Sequence, residues 1–194
     1  MRKASTSRET TETSIDVTLN IDGQGIRKIN TGIGFFDHML DLFARHGLFD
    51  LTLTAKGDLN VDEHHTMEDA GLVLGEAFAA AVGDKQDIQR YATQFVPMDE
   101  ALAFASVDFS GRPFLQYGVV CPDDTVGGVS SQLFEEFFRA FASAARITLH
   151  ISVLYGANTH HMIEAVFKAV GRALRVALEN DPRSVGIPST KGVL

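Results

Sequence analysis

A single cysteine, Cys121, occurs in 194 residues, so no intrachain disulfide framework can hold this chain together, and a reducing compartment is expected. Cys121 stands in "VVCPDD" beside a proline and reads as a strand-end residue rather than a nucleophile. Positive charge is also scarce: 17 Lys and Arg face 25 acidic residues, a formal charge of −8. Nucleic acid and anionic membranes both require a basic footprint, so neither is expected as the main partner. A few local Arg and Lys residues would still suffice for a small anion. No hydrophobic run reaches the ~18–20 residues of a membrane span. The opening "MRKASTSRETTETS" is polar and acid-containing and lacks the apolar core of a secretory signal. These absences predict a cytoplasmic protein.

With 45% hydrophobic residues, the chain can bury one sizeable core or two small ones. Period-2 alternation predicts a strand in "SIDVTLNID", with Ile15, Val17, Leu19 and Ile21 on one face, and a short strand follows at "IRKINT". Helical spacing of Phe35, Met39, Leu42 and Phe43 marks "GFFDHMLDLFARHG", which ends at Gly47. "FDLTLTAKGD" reads as a strand and "MEDAGLVLGEAFAAAVGD" as an Ala-rich helix. The second half repeats this order. "ALAFASVDFSG" and "PFLQYGVVC" are strand-like, "SSQLFEEFFRAFASAA" is helical, "RITLHISVL" is a strand, and "HHMIEAVFKAVGRALRVALEN" is a long helix. The expected class is α+β, a tandem duplication of a ββαβα unit. It forms a single domain of two repeats, about 1–92 and 93–194.

Aligning the halves superposes two uncommon stretches, "VDEHHTMEDAG" and "ANTHHMIEAVFKA". Each contains His-His-x-x-Glu: His64, His65 and Glu68, then His160, His161 and Glu164. On a helix, positions i and i+4 share a face, so His64 with Glu68, and His160 with Glu164, can each grip one ion. His65 and His161 point about 100° away and are free to reach a different ion. Imidazole and carboxylate without thiolate suit a borderline-hard divalent ion such as Mn, Fe, Co, Ni or Zn. One His-His pair alone would read as a surface cap; two matched pairs read as metal sites. His38 in "FFDHM" aligns with Glu136 in "FEEFFR", making both candidate ligands. His46 and His150 lack such symmetry and read as structural. Arg90 and Arg112 fall near element ends. Ser189, Thr190 and Lys191 could cradle an anion or belong to a solvated tail, and Lys168 could face the second His-His pair.

Assembled in this way, the chain resembles the imidazoleglycerol-phosphate dehydratase family. The resemblance rests on "ETSIDVTLNIDG", "GIGFFDHML", "DEHHTMEDAG", "THHMIEAVFKAVGRALR" and "PSTKGVL". It implies two repeats packed like the second domain of ribosomal protein S5, without the phosphatase domain fused to some bacterial members. It further implies two Mn2+ ions per active site, with other divalent ions able to substitute. The sites would lie at subunit interfaces of an octahedral 24-mer built from trimers. The ligands carried over are His38, His64, His65, Glu68, His160, His161 and Glu164. Glu136 joins them where many members have histidine. Glu12 would move protons, with Glu68 and Glu164 also in the catalytic set. Arg90, Arg112, Ser189, Lys191 and, on Glu164's helix, Lys168 would contact a phosphorylated imidazole substrate. The implied reaction dehydrates D-erythro-imidazole glycerol phosphate to imidazole acetol phosphate in L-histidine biosynthesis. The rival readings are a dinuclear metal-dependent phosphate-ester hydrolase and a non-catalytic metal-binding oligomer.

Overall fold

The structure is a computed structural model describing residues 2–192 and 194. The first half runs β1 (Lys3–Glu9), β2 (Thr13–Asn20), β3 (Arg27–Asn30), α1 (Gly34–Gly47), β4 (Asp50–Gly57) and α2 (His64–Val82). The second runs β5 (Tyr91–Met98), β6 (Ala101–Asp108), β7 (Phe114–Gly118), a small hairpin β8 (Thr125–Val126) and β9 (Val129–Ser130), then α3 (Leu133–Ala145), β10 (Thr148–Tyr155) and α4 (Thr159–Leu178). The two large sheets have the same order, β1-β2-β4-β3 and β5-β6-β10-β7. Their registers agree as well: Val17 faces Leu53 in the first, and Val107 faces Leu149 in the second. The duplicated ββαβα unit is therefore present in both halves. Each copy also carries a leading edge strand, β1 or β5, that hydrophobic periodicity did not single out.

Alternation explains how each sheet faces the core. Ile15, Val17 and Leu19 are buried, while Ser14, Asp16 and Thr18 between them are exposed. Helix α2 covers the inner face of the first sheet and α4 that of the second. Across the repeats, α2 packs on α3 and α4 on α1. Glycine permits both crossings. A Cβ on Gly75 would stand 2.6 Å from the Phe141 carbonyl oxygen, and a Cβ on Gly171 would collide with that of Phe43. Phe43 and Phe141 occupy matching places in α1 and α3, so the two crossings are copies of each other. Between them lies one continuous core, in which the Phe43 and Phe141 rings are 6.2 Å apart and Phe137 stacks on Phe167 at 5.6 Å.

Both short helices end alike. Leu48 and Arg146 adopt left-handed conformations (φ 56° and 55°), and the next amides, of Phe49 and Ile147, return to the Ala44 and Ala142 carbonyls. These sharp stops feed directly into β4 and β10. The strands in turn deliver the chain to the first turns of α2 and α4, where the histidine pairs lie.

Candidate active site

The first turn of α4 is held by Asn158, whose side chain accepts hydrogen bonds from the amides of His160 (2.9 Å) and His161 (3.3 Å). At α2 the matching service comes from Asp62, which accepts from the His64 amide at 2.8 Å. With the backbone fixed, the i,i+4 spacing brings His160 Nε2 to 3.2 Å from Glu164 Oε2 and His64 Nε2 to 3.7 Å from Glu68 Oε2.

The α4–α1 crossing adds a third group to one of these pairs. His38 Nε2, from α1, lies 3.5 Å from Glu164 Oε2. One ligand atom from each of His38, His160 and Glu164 lies within 4.8 Å of the others, a cluster able to hold a metal ion. Glu164 is 7% exposed. Burial alone would push its carboxyl up, but the Lys168 ammonium, 2.5 Å from Oε1, and the neighbouring His160 and His38 outweigh this and hold it below the usual value. Glu164 is thus ionised and ready to bind a cation.

The mirrored set does not close within one chain. Glu136 occupies the place on α3 that His38 has on α1, but its carboxylate lies 3.5 Å from Arg139. Among the described residues, no second trio of acids and histidines converges with His64 and Glu68. His65 and His161 diverge from their neighbours, with ring centroids 6.1 Å (His64–His65) and 6.2 Å (His160–His161) apart.

Both diverging rings meet carboxylates. His65 Nδ1 lies 3.1 Å from Asp58 and 3.9 Å from Glu12, and His161 Nδ1 lies 2.7 Å from Glu100. These hydrogen bonds raise both imidazoles above their ordinary value. Glu100, bound by His161 and by the amides of Asn158 and Ala157, is pulled down to about 2. Asp58 and Glu100 were not picked out from the sequence. They lie in loops without periodicity, and the only available cue was a carboxylate near each His-His pair in the chain or on a facing hairpin.

Glu12 rides the β1–β2 turn. Thr10 Oγ1 accepts from the amides of Glu12 (3.1 Å) and Thr13 (2.9 Å), and Thr13 Oγ1 donates to Asp69 of α2 at 2.5 Å. The turn is thereby pinned to α2, with Glu12, His65 and Glu68 lining a cavity of about 190 Å³. Glu12 itself keeps a 55% exposed side chain and no hydrogen bond to it among the described residues.

The predicted anion-binding residues share a larger cavity of about 660 Å³, lined by Arg90, Arg112, Ser189, Thr190 and Lys191. Arg90 is buried there, its Nε donating to Asp108 (2.8 Å) and its Nη1 to the Pro188 carbonyl (2.8 Å). It thereby ties the C-terminal segment to β6. Arg112 is far more open, 70% exposed and 3.9 Å from Asp108, and Lys191 is exposed as well. Lys168 is not in this cavity; it serves Glu164 instead. Most sequence-derived candidates thus fall into three groups within one chain: His38, His160, Glu164 and Lys168; Glu12, His64, His65 and Glu68; and Arg90, Arg112, Ser189 and Lys191. His161, turned to Glu100, and Glu136, beside Arg139, stand apart from them. His46 and His150 lie outside all three.

Fold and site together define a duplicated α+β protein with a histidine–carboxylate cluster fit for a divalent cation. The family model described as imidazoleglycerol-phosphate dehydratase matches residues 31–174. A protein of that name from Caldanaerobacter subterraneus subsp. tengcongensis is 60% identical over 194 residues, the whole of both chains. One from Gluconobacter oxydans is 56% identical over all of this chain and 98% of its own. Among solved structures, the dehydratase of Staphylococcus aureus superposes with a TM-score of 0.83 at 42% identity, covering 92% of this chain and all of that one. The Pyrococcus furiosus enzyme in complex with (S)-C348 superposes at 0.84 and 39% identity, covering 97% and 99%. The chain belongs to the imidazoleglycerol-phosphate dehydratase family and is a hydro-lyase. Membership sets aside the phosphate-ester hydrolase and the non-catalytic metal-binding oligomer. Among the described residues, no helix is long and apolar enough to cross a membrane.

Proposed function

We propose that both repeats form one catalytic domain that converts D-erythro-imidazole glycerol phosphate to imidazole acetol phosphate in cytoplasmic L-histidine biosynthesis. The observation that carries the metal-dependent part of this reading is the His38–His160–Glu164 cluster, whose carboxylate is kept ionised by Lys168. An imidazole and carboxylate donor set without thiolate fits Mn2+ and related divalent ions. His38, His160 and Glu164 would hold one ion, and His64, Glu68 and Glu136 are the candidates for a second. His65 and His161 would complete these sets on neighbouring subunits. When bound at the substrate's imidazole ring, such ions supply the acidity that the adjacent carbon lacks for want of a carbonyl group.

The remaining work falls to the chain's own side chains. Glu12, exposed and unfastened on a turn that is itself pinned, accepts the proton from that carbon and can return one to the departing hydroxyl. Arg112, Ser189 and Lys191 hold the phosphate, against a wall that Arg90 secures. The three groups of residues are separate in one chain, which supports an active site assembled between copies of it. Replacement Glu12→Gln tests the acid-base role. The amide keeps the size of the side chain but cannot accept a proton, so kcat should fall by about 10²–10⁴-fold with bound metal unchanged. A fully active variant, or one that has lost its metal, would refute the assignment. Arg112→Ala should instead weaken substrate binding by roughly tenfold or more, and inorganic phosphate should compete less well with substrate. Equal inhibition of parent and variant by phosphate would locate the anion site elsewhere.

A further inference from the structure

His65 and His161 are the two imidazoles that leave their own helix face, and each is held at the same ring atom. His65 Nδ1 lies 3.1 Å and 3.3 Å from the two oxygens of Asp58, and His161 Nδ1 lies 2.7 Å from Glu100 Oε2. The carboxylates come from different parts of the repeat. Asp58 follows β4 in the connection to α2, whereas Glu100 sits on the β5–β6 hairpin. Duplication therefore did not simply copy one contact; two unlike segments arrive at the same nitrogen.

Glu100 is further immobilised, because its Oε1 accepts from the amides of Asn158 (2.8 Å) and Ala157 (3.2 Å), immediately before α4. One oxygen fixes the backbone and the other fixes the ring. The β1–β2 turn is the topological counterpart of the β5–β6 hairpin, and it brings Glu12 to only 3.9 Å from His65 Nδ1. In the first repeat Asp58 takes the ring, leaving the hairpin carboxylate free. In the second, the hairpin carboxylate takes the ring itself.

We infer that Asp58 and Glu100 are positioning residues, each accepting an Nδ1–H hydrogen bond so that Nε2 of His65 and of His161 is the unprotonated ligand atom, with Asp99 Oδ2 standing 3.8 Å from that of His161. A carboxylate behind an imidazole fixes the tautomer, restrains rotation of the ring and increases the basicity of the far nitrogen. The inference rests on the metal-dependent reading above, in which His65 and His161 reach ions on neighbouring subunits. It also explains why Glu12 and Glu100, at related turns, have different duties.

Two measurements test it. Imidazole 15N spectra of the metal-free chain, taken above the titration of both rings, should show the Nδ1–H tautomer at His65 and His161. The signal should move toward the Nε2–H form in Asp58→Ala and Glu100→Ala, respectively. Titration of the metal-free chain with Mn2+, followed by electron paramagnetic resonance, should show affinity weakened about 10–100-fold in these variants. Glu100→Gln keeps an oxygen for the Asn158 and Ala157 amides, so a loss of affinity in this folded variant cannot come from an unfixed backbone. Parent-like tautomers together with Mn2+ affinities within about twofold of the parent would overturn the inference. His65→Ala and His161→Ala serve as references: if they bind Mn2+ as tightly as the parent, the failure lies in the metal-ligand reading and carries the inference down with it.

Discussion

Asp50, at the start of β4, accepts hydrogen bonds from the amides of Gln24 (2.8 Å) and Ile26 (3.0 Å) and from the Asn20 side chain (3.0 Å). One carboxylate thus organises the loop that returns the chain from β2 to β3. The Gln24 amide contributes most to holding its carboxyl below the ordinary value of 3.8, against a smaller effect of burial, with Ile26 and Asn20 adding to it. Because the folded value is depressed, the stabilisation is complete above the unfolded value and is lost as pH falls through the folded one. Asp50→Asn should therefore cost about 1–2 kcal/mol near neutral pH, after allowance for solvent screening. The gap between parent and variant should close as the pH drops below about 3.8, which urea unfolding at a series of pH values would measure. Glu12 is the contrasting case. Among the described residues its side chain makes no such bonds, and that freedom suits the proton transfer proposed for it.

At the scale of elements, the site depends on how closely helices of different repeats approach. Gly171 of α4 lies against the Phe43 carbonyl and the Gly47 amide of α1, and the same crossing carries His38 toward His160 and Glu164. An added Cβ has no flexible neighbour to displace, only backbone. Gly171→Ala should thus destabilise the fold by about 1–3 kcal/mol. It should also lower metal affinity by moving His38 away, seen as a lower urea midpoint together with reduced bound Mn2+. A variant with parental stability and metal content would show that the crossing tolerates the methyl group. The elements themselves were largely legible, because β2, β4, β6, β10 and all four helices each bury one regular face. Of the edge strands, β3 and β7 were legible and the leading ones, β1 and β5, were not. β1, "KASTSRE", is mostly polar, and β5 alternates exposed with half-buried residues and contains Pro97, which only an edge position accommodates readily. The paired His-x-x-x-Glu spacing was readable for a similar reason, being local to one helix turn. The approach of His38 was foreshadowed by its alignment with Glu136 and by the family resemblance, not by any local spacing. Asp58 and Glu100 reach the rings through loop and hairpin geometry that no spacing encodes.

For the whole molecule, the separation of the three residue groups is the governing fact. A substrate that bridges the proposed phosphate and imidazole sites needs both in one place, yet among the described residues the cavity lined by Arg112 and Lys191 does not include His38, His160 or Glu164. The outer face of the second sheet exposes Tyr91, Phe95 and Phe114, while the corresponding face of the first carries Ser14, Asp16 and Thr18. An exposed aromatic face beside a polar one favours association through the former. If His65 and His161 also donate ligands across subunit boundaries, metal binding, association and catalysis share one free energy. Exhaustive chelation should then reduce the particle mass measured by light scattering, leaving only those contacts that apolar surface sustains, and it should abolish dehydratase activity in parallel. Restoring Mn2+ should recover both, with mass and activity rising over the same range of added metal. Particles of unchanged mass after complete metal loss would show that the ions complete the active site without holding the subunits together.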